Sequence, residues 1–191
     1  MMLPGLDLSS LEPGRPVQTT LTLEAFLQLP EVKPYLEYEG SGIVRQKMAS
    51  TTTHALVHGH LVHLLSAAGA GFVLPELRTQ MSGSSRVPDI AVYARRPAEE
   101  HPTTPPRIAI EILSPGQDAG EEASRCAWYV EEGTRLALLV DPYAREVRAC
   151  VWGQDAATLR GYDRVPLLGI AIPGPELMVS DIFAVLGQET S

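Results

Sequence analysis

Hydrophobic positions along the chain fall into two kinds of pattern, long stretches at helical spacing and short crowded or alternating runs. Val57, Leu61, Leu64, Leu65 and Ala68 recur at helical intervals and are stopped by Gly69 and Gly71, which predicts a core-facing helix over 52–68. Ala119, Ala123, Cys126, Ala127 and Val130 mark a second helix over 118–132, closed by Gly133. A shorter packing helix is capped by Thr22, carries Leu23, Phe26 and Leu27 on one face, and is limited by Pro30. The apolar end, Ile182 to Leu186, predicts a final short helix.

Between these lie strand patterns. Tyr35–Glu39 and Ile43–Met48 flank Gly40-Ser41-Gly42 and read as a β-hairpin. Phe72–Met81, Val87–Tyr93 and Arg107–Leu113 are separated by Gly, Ser and Pro and read as successive strands of one sheet. Leu136–Val140 is continuously apolar, the sign of a strand covered on both faces; Asp141-Pro142 turns the chain and Glu146–Trp152 returns. The order predicts an α/β (α+β) fold with a central mixed β-sheet flanked by helices. The breakers in residues 1–20 predict an extended N-terminal arm, and 21–191 a single domain.

Composition narrows the function. Hydrophobic residues at 45% and charged residues at 20% describe a globular chain of 191 residues, and no stretch approaches a membrane span, so a cytoplasmic location is expected. A net charge of −8 opposes non-specific adhesion to nucleic acid, so a DNA partner would need local positive charge or metal ions. Cys126 and Cys150 are too few for a zinc signature or a disulfide framework and are expected as reduced core thiols.

The most informative residues are two carboxylates. Glu111 interrupts the apolar strand Arg107–Leu113, and burying it unpaired would cost several kcal/mol. A partner is required: a basic side chain, in which case the residue is purely structural, or a cation. Asp89 follows Pro88, which alone is ordinary turn chemistry. Together, on neighbouring strands, Asp89 and Glu111 can converge on a hard Mg²⁺ or Mn²⁺ ion able to position water and stabilise charge on a phosphodiester.

Pro88-Asp89, a gap, then Glu111-Ile112-Leu113-Ser114-Pro115 resembles the PD-(D/E)xK nuclease superfamily, and within it the Uma-two family of bacterial endonucleases. The likeness continues in Trp128–Gly133 and Leu138–Pro142, reaches upstream to Tyr35–Gly40 and His54, and downstream to Ile172–Leu177. It implies a restriction-endonuclease-like fold acting on DNA and a pairing of two copies, as duplex-cutting enzymes of the superfamily often adopt. It also implies Asp89 and Glu111 as metal ligands, the Ile112 carbonyl as a further one, and Glu37 as the upstream acid, with Glu39 its rival. The superfamily's lysine would stand at 113, where this chain has Leu113. Members of this branch often draw the basic residue from the following helix, here Arg125. Arginine cannot serve as a base but can stabilise a phosphate. Against that role, Glu121 stands four residues earlier, and a helix-surface pair between the two is expected.

Other candidates weigh less. His54, His58, His60 and His63 lack the spacing and third ligand of a zinc site and are expected as hydrogen-bonded histidines near the core, with His54 close enough to the carboxylates to meet a substrate phosphate. Trp128 and Tyr129 read as packing residues, and Arg86, Arg95, Arg96 and Arg107 as the local source of positive potential. No nucleophile elbow, phosphate-binding loop or dinucleotide fingerprint occurs. The expectation is a divalent-metal-dependent endonuclease; the competing one is a catalytically degenerate nuclease fold that binds a partner.

Overall fold

Strand parity organises the architecture. In the computed structural model, which describes residues 2–3, 6–7, 11–167 and 176–187, six strands form one sheet. They are β6 (Phe72–Pro75), β9 (Ile90–Tyr93), β10 (Ile108–Ile112), β11 (Leu136–Asp141), β12 (Glu146–Val151) and β13 (Ala157–Arg160). Their order is β13-β12-β11-β10-β9-β6; β10 and β11 run parallel and the other neighbours antiparallel. Ile108, Ile110 and Ile112 alternate onto one face, with Ile90, Val92, Leu136, Leu138 and Val140, and pack under Val57, Leu61 and Leu65 of helix α2 (Thr52–Ala67). Ala109, Ala137, Leu139 and Cys150 emerge on the other face, under Cys126 and Tyr129 of helix α3 (Ala119–Glu131). A helix on each face is what makes the central strands apolar throughout.

Both long helices start where their sequences say. Thr51 accepts the His54 N–H at 3.2 Å, and Asp118 accepts those of Gly120 and Glu121 at 2.8 and 2.9 Å. The predicted C-terminal helix begins earlier than expected, as α4 (Val179–Phe183), which packs Val179, Ile182 and Phe183 into the α2 side of the core, and residues 184–187 follow as a 3₁₀ helix.

The strands expected in one sheet are divided between two. The second has the order β3-β5-β4-β8-β7, from β3 (Pro16–Gln18), β4 (Leu36–Gly40), β5 (Ile43–Gln46), β7 (Thr79–Met81) and β8 (Ser84–Arg86). The predicted strand 72–81 breaks at Glu76, whose φ of 51° ends β6 and lets the chain cross to β7 in the other sheet. The predicted strand 87–93 likewise begins only at Ile90, because Val87-Pro88-Asp89 carries the chain back from β8 to β9. Residues from the expected N-terminal arm dock on this smaller sheet: β3 pairs with β5, and Leu6 and Leu11 join Phe26, Leu36, Tyr38 and Val44 in its core. A further short pair, β1 (Met2–Leu3) with β2 (Leu6–Asp7), precedes it. Helix α1 (Leu23–Leu27) contributes Phe26, and the β4–β5 turn uses positive φ at Gly40, Ser41 and Gly42.

Ile110 is fully buried between α2 and the sheet. Ile110→Ala is expected to lower the free energy of unfolding by about 2–5 kcal/mol in a denaturant titration.

Candidate active site

The functional side chains meet where the two sheets and α3 adjoin. Glu111 lies on β10 with the parity of Ala109, so its carboxylate points toward α3 rather than α2. Asp89 lies one residue before Ile90, which is registered opposite Ile110, and this brings Asp89 beside Glu111 across β9 and β10. On β4, Leu36 and Tyr38 face the smaller core and Glu37 faces the opposite way, into the junction. A cleft of about 380 Å³ opens there, lined among others by Glu37, Lys47, His54, Asp89, Glu111 and Arg125.

Each core carboxylate has one oxygen fixed by the protein and one directed at a shared cation. Asp89 Oδ2 accepts the Ile112 N–H at 2.7 Å, while Glu111 Oε1 accepts from Arg125 at 2.8 Å and from the Tyr129 hydroxyl at 3.0 Å. Asp89 Oδ1 and Glu111 Oε2 both face the Lys47 ammonium, at 2.6 and 3.5 Å, and Lys47 also donates to the Val87 carbonyl at 2.7 Å. Burial opposes charge on Lys47 and on Asp89, but their mutual attraction prevails, raising the lysine and lowering the aspartate.

Arg125 ties the surrounding acids together. It donates to Glu37 at 2.6 and 3.0 Å and to Glu111 at 2.8 Å, and its Nε lies 3.0 Å from Glu122. Glu37 is fully buried and also accepts the Val87 N–H at 2.7 Å. Burial alone would raise its carboxyl, yet the charge and hydrogen bonds of Arg125 hold it at about 2. Burial pushes Glu122 up to about 7, because Glu111 and Glu37 oppose its ionisation while Arg125 only partly compensates.

The expected surface pair of Arg125 with Glu121 is not formed. Arg125 faces inward to Glu37, Glu111 and Glu122, and Glu121 pairs with Arg45 at 3.2 Å instead. These inward carboxylates, with Glu39 also 3.7 Å away, outweigh one exposed i,i+4 partner. Of the rival acids, Glu37 lines the cleft; Glu39 lies in a neighbouring hollow, bonded to Arg45 at 2.7 Å. Tyr129, expected to serve packing, also pins Glu111. Arg95, Arg96 and Arg107 sit at the far end of β9 and β10 and do not flank the cleft, whereas Arg86 stacks on the Trp128 ring at 4.0 Å. His54 lies beside the pair, with Nδ1 3.2 Å from the Ser114 hydroxyl and Nε2 3.8 Å from Asp89; burial lowers its affinity for a proton despite that aspartate. His58 and His60 bond to the carbonyls of Asp89 and Asp181, and His63 is exposed. Both cysteines are free and buried. Ile172 to Pro175, part of the downstream likeness, lie outside the described residues.

Sequence reading missed Lys47. It falls inside the predicted strand Ile43–Met48, which in the structure ends at Gln46, and its partners are 42 and 64 residues away. The one available signal was rarity, since the chain has two lysines, Lys33 and Lys47.

The donors around Lys47 are oxygens of two carboxylates and one carbonyl, a set that suits a hard divalent cation better than zinc. Among the described residues, no group of three His, Cys, Asp or Glu side chains is arranged to hold a metal. An ion seated by Asp89 and Glu111 would therefore take its other ligands from backbone carbonyls, such as Ile112, and from water or substrate, a habit of Mg²⁺.

The carboxyl values set a pH dependence. Glu37 lies below its ordinary 4.5 in the folded protein, so its contribution, roughly 3 kcal/mol, is present above pH 4.5 and lost as pH falls toward 2. Glu37→Gln should lower stability at neutral pH and flatten the acid limb of the unfolding profile. Glu122 lies above 4.5, so its contribution is present below 4.5 and lost as pH rises through 7; Glu122→Gln should gain stability, relative to wild type, at pH 8 compared with pH 4.

Comparison with known proteins bears on the fold and the family. A search of curated proteins finds no match. The crystal structure of a "putative nuclease belonging to DUF820" from Anabaena variabilis is similar, with 27% sequence identity and a TM-score of 0.78 over 87% of this chain and 99% of that one. The match supports the restriction-endonuclease-like, mixed α+β architecture. Residues 23–180 match the profile of the Uma2 family, described as "Putative restriction endonuclease", and the chain belongs to that family.

Proposed function

We propose that this chain is a Mg²⁺- or Mn²⁺-dependent endonuclease that hydrolyses DNA phosphodiester bonds in the cleft between the two sheets. The observation that carries the reading is the convergence of Asp89 Oδ1 and Glu111 Oε2 on one cation position. A merely structural Glu111 would also be paired and buried, as this one is, but it would have no need of a second carboxylate aimed at the same point in the wall of an open cleft.

Asp89 and Glu111 would hold the ion, with the Ile112 carbonyl available beside them. The bound ion would supply Lewis-acid stabilisation of phosphate charge and lower the pKa of water. The chain's own residues do the positioning. Arg125, with all three guanidinium nitrogens facing carboxylates, is a positioning residue that fixes the Glu111 rotamer; Glu37 fixes Arg125 in turn. His54 and Ser114 line the same wall and offer hydrogen bonds to a phosphate oxygen. Water would add to phosphorus as the P–O bond to one sugar breaks, and that sugar oxygen leaves with a proton. One cleft cuts one strand, so duplex cleavage would call for two copies.

A second reading has its own support. Lys47 and Arg125 already neutralise Asp89, Glu111 and Glu37 internally, which suits a degenerate fold that binds a partner without metal. No helix among the described residues is long and apolar enough to cross a membrane, and both readings leave a bilayer out of the function.

Calorimetric titration of Mn²⁺ into wild-type and Glu111→Gln protein, followed by incubation with supercoiled plasmid, separates them. The expected outcome is Mn²⁺ binding and nicking by wild type, both abolished by chelator, and a loss of about 100-fold or more in nicking for Glu111→Gln and Asp89→Asn. Metal binding without nicking would overturn the catalytic step and leave only the metal seat; no metal binding, with or without DNA, would remove the nuclease reading and leave the metal-free, partner-binding fold.

A further inference from the structure

The Asp89–Glu111 seat already has a cation in it. The Lys47 ammonium lies 2.6 Å from Asp89 Oδ1, 2.7 Å from the Val87 carbonyl and 3.5 Å from Glu111 Oε2. These two carboxylate oxygens are the ones left over once Ile112, Arg125 and Tyr129 have taken the others. A divalent ion bound by the same oxygens would stand within a few ångströms of a fixed positive charge. Two cations cannot share that contact, because unscreened like charges at such a distance repel strongly in a buried site.

We propose that Lys47 is a tethered competitor for the metal seat, so that divalent-cation binding is an exchange in which the ammonium leaves Asp89 and Glu111 and swings into the cleft. The exchange rests on the metal-seat reading above but adds a constraint to it, on affinity and on the order of events. The local structure permits the movement. Lys47 stands just past the end of β5, in a connection to α2 without helix or strand, and its unbranched side chain is 16% exposed toward a cleft with room for it. Once displaced, the charge stays on the cleft wall, adding to Lys33, Arg45 and Arg125 against the five acids there, where a phosphate backbone would approach a chain of net charge −8.

Competition of this kind weakens the apparent affinity by the fraction of molecules whose seat is empty. With the open state at about 0.1–10% of the population, removing the lysine tightens binding about 10- to 1,000-fold. The chain offers an unusually clean probe, since its only other lysine, Lys33, has a side chain 73% exposed and serves as an internal reference.

The test has two parts. Mn²⁺ is titrated calorimetrically into full-length wild type and Lys47→Met, with melting temperatures recorded at zero and saturating metal. Wild-type protein is also treated with an amine-acylating reagent, with and without Mn²⁺, and the two lysines are read by peptide mass spectrometry. Lys47→Met should melt below wild type without metal, bind Mn²⁺ at least about tenfold more tightly, and recover its melting temperature when loaded. In wild type, Lys47 should be protected without metal and acylated with it, while Lys33 reacts in both. Equal or weaker Mn²⁺ binding by Lys47→Met overturns the exchange, and if wild type still binds metal and nicks DNA the nuclease reading survives it. Binding by Lys47→Met but not by wild type upholds the competition and overturns the nuclease reading. Failure of both proteins to bind overturns both. Should Lys47→Met not fold, the acylation pattern decides: protection of Lys47 at saturating Mn²⁺ overturns the proposal.

Discussion

A single buried guanidinium holds the parts of this protein in register. Arg125 reaches from α3 to Glu37 on the smaller sheet and to Glu111 on the larger one, and approaches Glu122 on its own helix. Desolvating so many charges is costly, and the cost is offset only because the geometry is bidentate at Glu37 and extended by Tyr129 at Glu111. The sheets also share a backbone crossing at Val87–Asp89, and Glu37 grips that crossing through the Val87 N–H. Asp89 is thus positioned two residues from a bond that belongs to the other sheet.

The alternation of β10 explains why the site sits where it does. Odd positions 109, 111 and 113 face α3 and even positions 108, 110 and 112 face α2, so a carboxylate at 111 cannot reach the α2 core and must be met from α3. Helix α3 meets it with a polar edge made from Glu122, Arg125 and Tyr129, beside the apolar Cys126. Of the predicted face, Cys126 is buried and Ala123 and Val130 pack against the core, while Ala119 and Ala127 are exposed because the helix is turned to bring Glu122 and Arg125 inward.

Much of this was legible in the chain. The hairpin turn, the two long helices with their glycine stops, and the apolar run of β11 are local patterns, and local patterns survive translation into structure. Asp89 and Glu111 stood out because a carboxylate beside or within an apolar strand needs an explanation. What escaped was long-range. Nothing local says that 72–81 must break at Glu76 to serve two sheets, or that Arg125 will prefer acids at 37 and 111 to the one at 121. Lys47 escaped for the same reason: it read as one more residue of the predicted strand 43–48, and its meaning comes wholly from residues brought to it by the fold.

The dependence of both sheets on Arg125 has a consequence during synthesis. The chain is made from its N-terminus, so Glu37, Asp89 and Glu111 all leave the ribosome before the residue that clasps them. Until α3 is available, Glu37 lacks its bidentate guanidinium and Glu111 has only the more distant Lys47, so the junction between the sheets is without its clasp. A chain of this design would leave the Asp89–Glu111 cleft unassembled until the residues through α3 have been made.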